Sequence, residues 1–331
     1  MYLKQFKLKE EPFTTTPDPR FLYHSEMHEK ALDRLKVAIT NRRGITALIG
    51  EPGLGKSTLL RTVLSGLQES MNFAWVFNTT MAPIDLLKFI CRDFGFTPKS
   101  DNKSDLLMEL YAFFVREYEQ NRFPLLIIDE AQNLSCDALE EIRQLSNLET
   151  VNKKLVQIIL CGQPQLEINL ERPEMVQLRQ RISYKAKLSR LTFDETVAYI
   201  RFRLSVAGAP EVGLFTQNAL KEIFETSGGI PRLINHLCDD ALQIAAKNGT
   251  SRVETKIIRT LVDSGDIMRA PSLKSFDIKE EKKPVIIRAA KQALEAKTIK
   301  KPKSTHTRRH TIETEYDLFE AIDLAELLTV I

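Results

Sequence analysis

The sequence has no apolar run long enough to cross a bilayer; the longest, such as residues 125–128 and 158–161, are strand-sized. Its opening, Met1-Tyr2-Leu3-Lys4-Gln5-Phe6-Lys7, lacks the continuous apolar stretch of a signal peptide. Cysteine is scarce. The four present (Cys91, Cys136, Cys161, Cys238) are scattered, with no CxxC pair and no neighbouring histidine, which excludes a zinc site and a disulfide framework. They read as buried free thiols in a reducing compartment. Internal repeats are also absent. These absences together lead us to expect a cytoplasmic protein, one that reaches a membrane only peripherally, through a partner.

What is present is an ordinary globular composition, 43% hydrophobic and 27% charged, over 331 residues. That length suffices for two domains, or for one large domain with an appendage. The net charge of +3 hides a strong asymmetry. Residues 282–309 hold ten Lys or Arg against Glu295 alone, a local charge of +9, and residues 313–331 hold six acids and no base. The rest of the chain is nearly neutral.

Apolar runs at 45–50, the first ending at a glycine, and at 73–77, 125–129, 155–161 and 182–188 read as strands. Helical patterns lie between them, at 56–67, 83–94 and 104–120, so the expected fold is α/β, a mainly parallel sheet with helices on both faces. After about residue 189 the strand runs stop. The stretches 193–207, 217–226, 231–247 and 254–263 carry helical spacing and predict a small all-helical domain. The expected boundaries are 1–190 for the α/β domain with an N-terminal arm, 191–265 for the helical domain, and 266–331 for a mostly disordered tail. Within that tail, Leu318, Ile322, Ala325 and Leu328 would share one face of an acidic helix.

The chemistry-bearing motif is Gly50-Glu51-Pro52-Gly53-Leu54-Gly55-Lys56-Ser57-Thr58. In a GxxxxGK[ST] loop the glycines let the backbone curl so that successive N–H groups point at phosphate oxygens. Lys56 reaches the β- and γ-phosphates, the Ser57 hydroxyl ligates Mg²⁺, and the following helix adds its positive end. An apolar strand before the loop and a helix after it supply the context this reading requires. The second half is Leu125-Leu126-Ile127-Ile128-Asp129-Glu130, two carboxylates at the C-terminal edge of a buried strand, where open α/β sheets bind ligands. Asp129 would hold the magnesium through its water shell, and Glu130 would orient and deprotonate the attacking water. The expected cofactors are ATP and Mg²⁺.

These motifs, the helical stretch after the sheet, and Gly228-Gly229-Ile230-Pro231-Arg232 resemble an AAA+ ATPase, with the helical domain as its lid. The match sharpens with Pro12-Phe13, Pro17-Asp18-Pro19-Arg20-Phe21-Leu22-Tyr23, Asp129-Glu130-Ala131-Gln132-Asn133-Leu134, Leu145-Ser146-Asn147-Leu148-Glu149-Thr150, Gly162-Gln163-Pro164-Gln165-Leu166 and Leu178-Arg179-Gln180-Arg181-Ile182. Over about residues 1–265 the chain is similar to the general-secretion-pathway protein A family, itself related to target-selecting ATPases of transposons. The resemblance implies that Gln163 is a sensor of the γ-phosphate or attacking water, and that Asn78 restrains Glu130. It implies that Arg232 is a lid arginine reaching the phosphates, and that Arg181 or Arg179, with Arg181 preferred, is an arginine finger acting in trans. Phe13, Pro17 and Tyr23 would either wall the adenine or pack the arm onto the sheet. His28 reads as an ordinary helix-surface residue.

Two functions follow from the resemblance. The first is an ATP-dependent homo-oligomer that switches a partner in a secretion, pilus or envelope-polymer export system. The second is an ATPase that assembles on duplex DNA and recruits a transposase, with the basic stretch neutralising phosphates. An ATP-binding scaffold without turnover is disfavoured by the intact Glu130. Secretion-type members often continue into a transmembrane segment and a peptidoglycan-binding domain. Residues 266–331 resemble neither, which counts against a direct role in cell-wall remodelling. The acidic end would dock on a partner or fold back on the basic stretch.

Overall fold

The computed structural model describes residues 2–66, 71–150, 153–210, 213–265 and 269–270. The basic stretch and the acidic helix expected in the tail lie outside these residues.

The chain opens with α1 (Tyr2–Gln5) and α2 (Glu26–Thr40), then β1 (Ile45–Ile49), α3 (Lys56–Ser65), β2 (Met71–Val76), α4 (Pro83–Asp93) and α5 (Lys103–Glu119). It continues with β3 (Phe123–Ile128), α6 (Cys136–Leu145), β4 (Gln157–Gly162), α7 (Pro164–Leu170), α8 (Val176–Arg181) and β5 (Ile182–Lys187). Four helices close the described part: α9 (Phe193–Val206), α10 (Gln217–Ser227), α11 (Pro231–Lys247) and α12 (Thr255–Asp263). The five strands form one sheet in the order β2-β3-β4-β1-β5, every neighbouring pair parallel. The expected α/β class is therefore observed, with strand ends displaced by up to two residues.

β1, β3 and β4 are buried on both faces, so they read as continuous apolar runs and not as alternation. One face of the sheet packs against α4, α5, α6, α7 and α8 through Leu86, Leu110, Ile142, Leu166 and Leu178. The other packs against α2 and α3 through Leu35, Leu59 and Val63. Sequence reading passed over several of the shorter helices, because their length leaves little periodicity to see. Helix starts follow capping chemistry. Thr192 and Glu195 form a capping box on α9, and Ser25 caps α2 by accepting from the His28 N–H.

The third apolar cluster belongs to α9–α12, and it holds Tyr2, Phe6, Leu8, Phe13 and Phe21 of the N-terminal arm. The arm's buried aromatics therefore pack onto the helical layer, not onto the sheet as one of the two expectations had it, while Leu22 joins the cluster of β1, β3, α2 and α3. Its main chain is fastened there too, with Lys9 N donating to Ala207 O at 2.8 Å. Arg203, 6% exposed, donates to the carbonyls of Pro12 and Thr14 and lies 4.7 Å from the Phe21 ring centroid. All four cysteines are free; Cys91, Cys161 and Cys238 are buried as expected, whereas Cys136 is only half-buried. Among the described residues no helix is long and apolar enough to cross a membrane.

Candidate active site

β1 ends at Ile49 inside the sheet, and the chain leaves it through a loop that closes at the N-terminus of α3. Gly53 and Gly55 stand at φ of +84° and +93°, a left-handed conformation that glycine alone adopts freely. Lys56 is 7% exposed, and its Nζ donates to Gly50 O at 2.7 Å and Glu51 O at 3.1 Å. The ammonium thus sits inside the loop, against the first turn of a helix whose free N–H groups and dipole favour an anion. Leu54 turns its side chain into the core, and Pro52, Ser57 and Thr58 face a cleft of about 310 Å³ between the loop and the helical layer.

β3 brings the carboxylates to the same place. Ser57 Oγ donates to Asp129 Oδ2 at 3.2 Å, which sets two hard oxygen donors side by side. Among the described residues no cluster of three or more His, Cys, Asp or Glu could cage a metal. A pair of oxygens with room for water and phosphate suits Mg²⁺, which retains waters and takes few protein ligands.

Glu130 lies next to this pair on the cleft wall, at φ +51°, a strained value for a non-glycine residue and one that recurs at functional sites. Its Oε2 accepts from Gln163 Nε2 at 3.0 Å and from Gln132 Nε2 at 2.5 Å. Gln132 Oε1 in turn accepts from the Gln163 N–H at 3.0 Å. Gly162 makes room for this arrangement, since a methyl group there would lie 2.9 Å from Gln132 Oε1. Asn78 does not take part. It is exposed and accepts from Thr80, and its neighbour Thr79 is the residue that reaches Glu130, donating from Oγ1 to the main-chain carbonyl at 3.0 Å.

Arg232 stands at the start of α11, lines the cleft, and donates from its main-chain N–H to Gly53 O at 3.2 Å. Arg179 and Arg181 are exposed at the end of α8 and do not line the cleft of their own chain. Pro17 and Tyr23 do line it; Phe13 does not, being 2% exposed with its ring edge-on to Phe215. The Glu51 side chain is turned away from the cleft into an ion pair with Arg190.

His28 departs from expectation. It is 4% exposed, with Nδ1 2.7 Å from Ser25 Oγ and Nε2 3.0 Å from Leu54 O, so it braces α2 against the loop. Ser25 Oγ accepts from the His28 N–H and donates to Nδ1, which leaves Nε2 as the donor to Leu54. Burial pushes the imidazole below its ordinary 6.5, against the opposing pull of the Leu54 carbonyl. The unfolded chain then binds the proton more tightly than the folded one. The stability this residue contributes is complete above about pH 6.5 and is lost as pH falls through the lower folded value. Urea unfolding measured from pH 7.5 down to 5 should show an acid loss that His28→Gln lacks. Parallel curves for the two proteins would refute the assignment.

Gln132, Thr79, Arg190 and Arg203 escaped sequence reading. For Gln132 the signal was its place in the short turn Ala131–Asn133 directly after Glu130; for the arginines there was none.

A phosphate-type loop, paired carboxylates at the strand edge and a helical layer closing over both define a nucleotide-driven ATPase of the P-loop class. A family model described as an AAA domain matches residues 39–170. The chain is 39% identical over 254 residues to general secretion pathway protein A of Aeromonas hydrophila, covering 76% of this chain and 46% of that protein. It therefore spans less than half the length of that relative. Among solved structures, the ORC2 protein of Aeropyrum pernix superposes at a TM-score of 0.61 with 16% identity, covering 81% of this chain and 73% of that one. Cdc6p of Pyrobaculum aerophilum gives 0.61 with 19% identity, covering 80% and 72%. At those identities the two structures speak to the fold alone. The chain thus carries an AAA domain and resembles general secretion pathway protein A.

Proposed function

We propose that this chain binds Mg-ATP in the cleft and hydrolyses it against a second copy of itself, using the cycle to assemble or switch a partner in a secretion, pilus or envelope-polymer export system. The reading treats residues 1–190 as the nucleotide-binding unit and 191–265 as its lid. The observation that carries it is the Glu130 carboxylate, held by two glutamine amides beside the Ser57–Asp129 pair. Lys56 exchanges its two carbonyl partners for phosphate oxygens. Ser57 and Asp129 would hold Mg²⁺, which supplies charge neutralisation on the β- and γ-phosphates. Gln163 exchanges its bond to Glu130 for one to the γ-phosphate or to water, and the freed carboxylate takes the water proton. Arg232 reports the γ-phosphate to the lid, and Arg181, or Arg179, of a second copy meets the transition-state charge.

Support for hydrolysis in trans is the exposure of both arginines outside their own cleft. The partner class comes from the likeness to general secretion pathway protein A. The DNA reading rests on a basic stretch outside the described residues, and no described feature favours it. Mixing two inactive variants tests the interface. Glu130→Gln and Arg181→Ala should each lose turnover, and an equimolar mixture should regain a measurable fraction, because mixed contacts pair an intact glutamate with an intact arginine. If the mixture stays as inactive as its components while both still oligomerise with ATP, Arg181 is not the finger. The same mixing with Arg179→Ala then decides the other candidate.

A further inference from the structure

The phosphate loop is fastened to the helical layer by two side chains, Glu51 and Arg190, that do not line the cleft. Glu51 accepts from Arg190 through both carboxylate oxygens, Nε to Oε1 at 2.9 Å and Nη2 to Oε2 at 2.6 Å. The two side chains are 17% and 8% exposed, so the pair is shielded from water and from salt. Arg190 lies in the segment joining β5 to α9, the only described crossing from sheet to lid on the C-terminal side. The next residue, Leu191, donates from its N–H to Gly229 O at 2.9 Å, and Arg232 donates to Gly53 O. The pair thus closes a circuit from loop to joint, joint to glycine turn, turn to α11, and α11 back to the loop.

We propose that Glu51 and Arg190 form a positioning pair that holds the phosphate loop in its binding conformation and ties it to the lid joint, so that nucleotide affinity depends on two side chains outside the cleft lining. The physical reason is preorganisation. A loop whose Gly53 and Gly55 stand at positive φ has many alternative conformations, and a bidentate, water-shielded ion pair at its first turn removes most of them before the phosphates arrive. Bidentate geometry matters here, because a single point contact would leave the loop free to pivot.

This inference rests on the nucleotide-binding reading of the cleft but not on hydrolysis, and a double-mutant cycle on affinity keeps the two apart. The dissociation constants of a fluorescent ATP analogue and of ADP are measured for wild type, Glu51→Gln, Arg190→Gln and the double variant, with thermal melting to establish that each is folded. Each single variant is expected to weaken binding at least tenfold. The double variant should be no weaker than the worse single one, yet still at least fivefold weaker than wild type, because both removals break the same restraint. In steady-state turnover the larger share of the loss should fall on KM, and a purely structural defect would instead lower the active fraction at constant KM. Arg190→Lys, which keeps the charge but not the fork, should be intermediate and guards against misfolding of the glutamine variants. Multiplying single effects, or a double variant that binds as wild type does, overturns the pair. A wild-type chain that binds nucleotide without turning it over overturns the hydrolysis reading alone.

Discussion

Replacing Glu130 with glutamine should reduce ATP turnover by about 10²–10⁴-fold, the usual worth of a positioned general base, while leaving ATP affinity within a few-fold of wild type. The substitution is nearly isosteric. The new carbonyl oxygen still accepts from Gln163 and Gln132, so the wall of the cleft keeps its shape, and neither Lys56 nor the loop is disturbed. What disappears is the carboxylate charge, without which that side chain is not basic enough to take a proton from water. Single-turnover hydrolysis alongside equilibrium binding separates the two consequences. Normal turnover in the variant would remove Glu130 from the chemistry; loss of binding together with turnover would make its role architectural.

The largest effect on stability is expected from Gly229→Ala. Gly229 stands at φ +75°, and a methyl group there would lie 2.0 Å from the Leu191 carbonyl oxygen and 3.0 Å from its carbon. Both are main-chain atoms, so no rotamer change relieves the overlap. The joint and the glycine turn must separate, which breaks the Leu191 N–H to Gly229 O hydrogen bond and loosens the layer that carries Arg232. A loss of at least about 3 kcal/mol is expected, in the tail of single-substitution effects, with Tm falling by about 6 °C or more. Gly249→Ala is the matched comparison. Gly249 has φ +66° with nothing within 4 Å of an added methyl, so it carries the conformational cost alone, about 1–2 kcal/mol. Equal losses at the two positions would show that close packing of Leu191 on Gly229 contributes nothing.

Much of the sheet and of the candidate site was legible in the residues themselves. The sequence 45–49 followed by a glycine loop and a helix starting at Lys56 is one uninterrupted stretch, and its chemistry needs no distant partner. The same holds for Asp129 and Glu130 at the end of a buried strand. α11 was legible to the residue because Pro231 opens it and its apolar spacing is sustained over several turns. α7 and α8 were not legible, since seven and six residues give too little periodicity to distinguish a helix from a loop.

Where a side chain's partner lies far along the chain, the residue alone misled. Glu51 looked like part of the phosphate cradle, and its carboxylate instead meets Arg190, 139 residues away. His28 looked like a surface residue, and it carries Leu54, 26 residues on. Asn78 looked like the restraint on Glu130, a task the tertiary structure gives to Gln132 and Gln163 on the carboxylate and to Thr79 on the main chain. The arm's aromatics were expected at the adenine or against the sheet, and only the packed core shows that Phe13 and Phe21 complete the helical layer. The sequence by itself thus determined the glycine loop, the carboxylate strand and the alternation of the five strands with the longer helices, because glycine dihedrals, phosphate chemistry and apolar period are properties of consecutive residues. Only the tertiary structure decided which side chains hold that site in shape, because a long-range hydrogen bond or ion pair is fixed by how the layers pack and leaves no pattern in the chain.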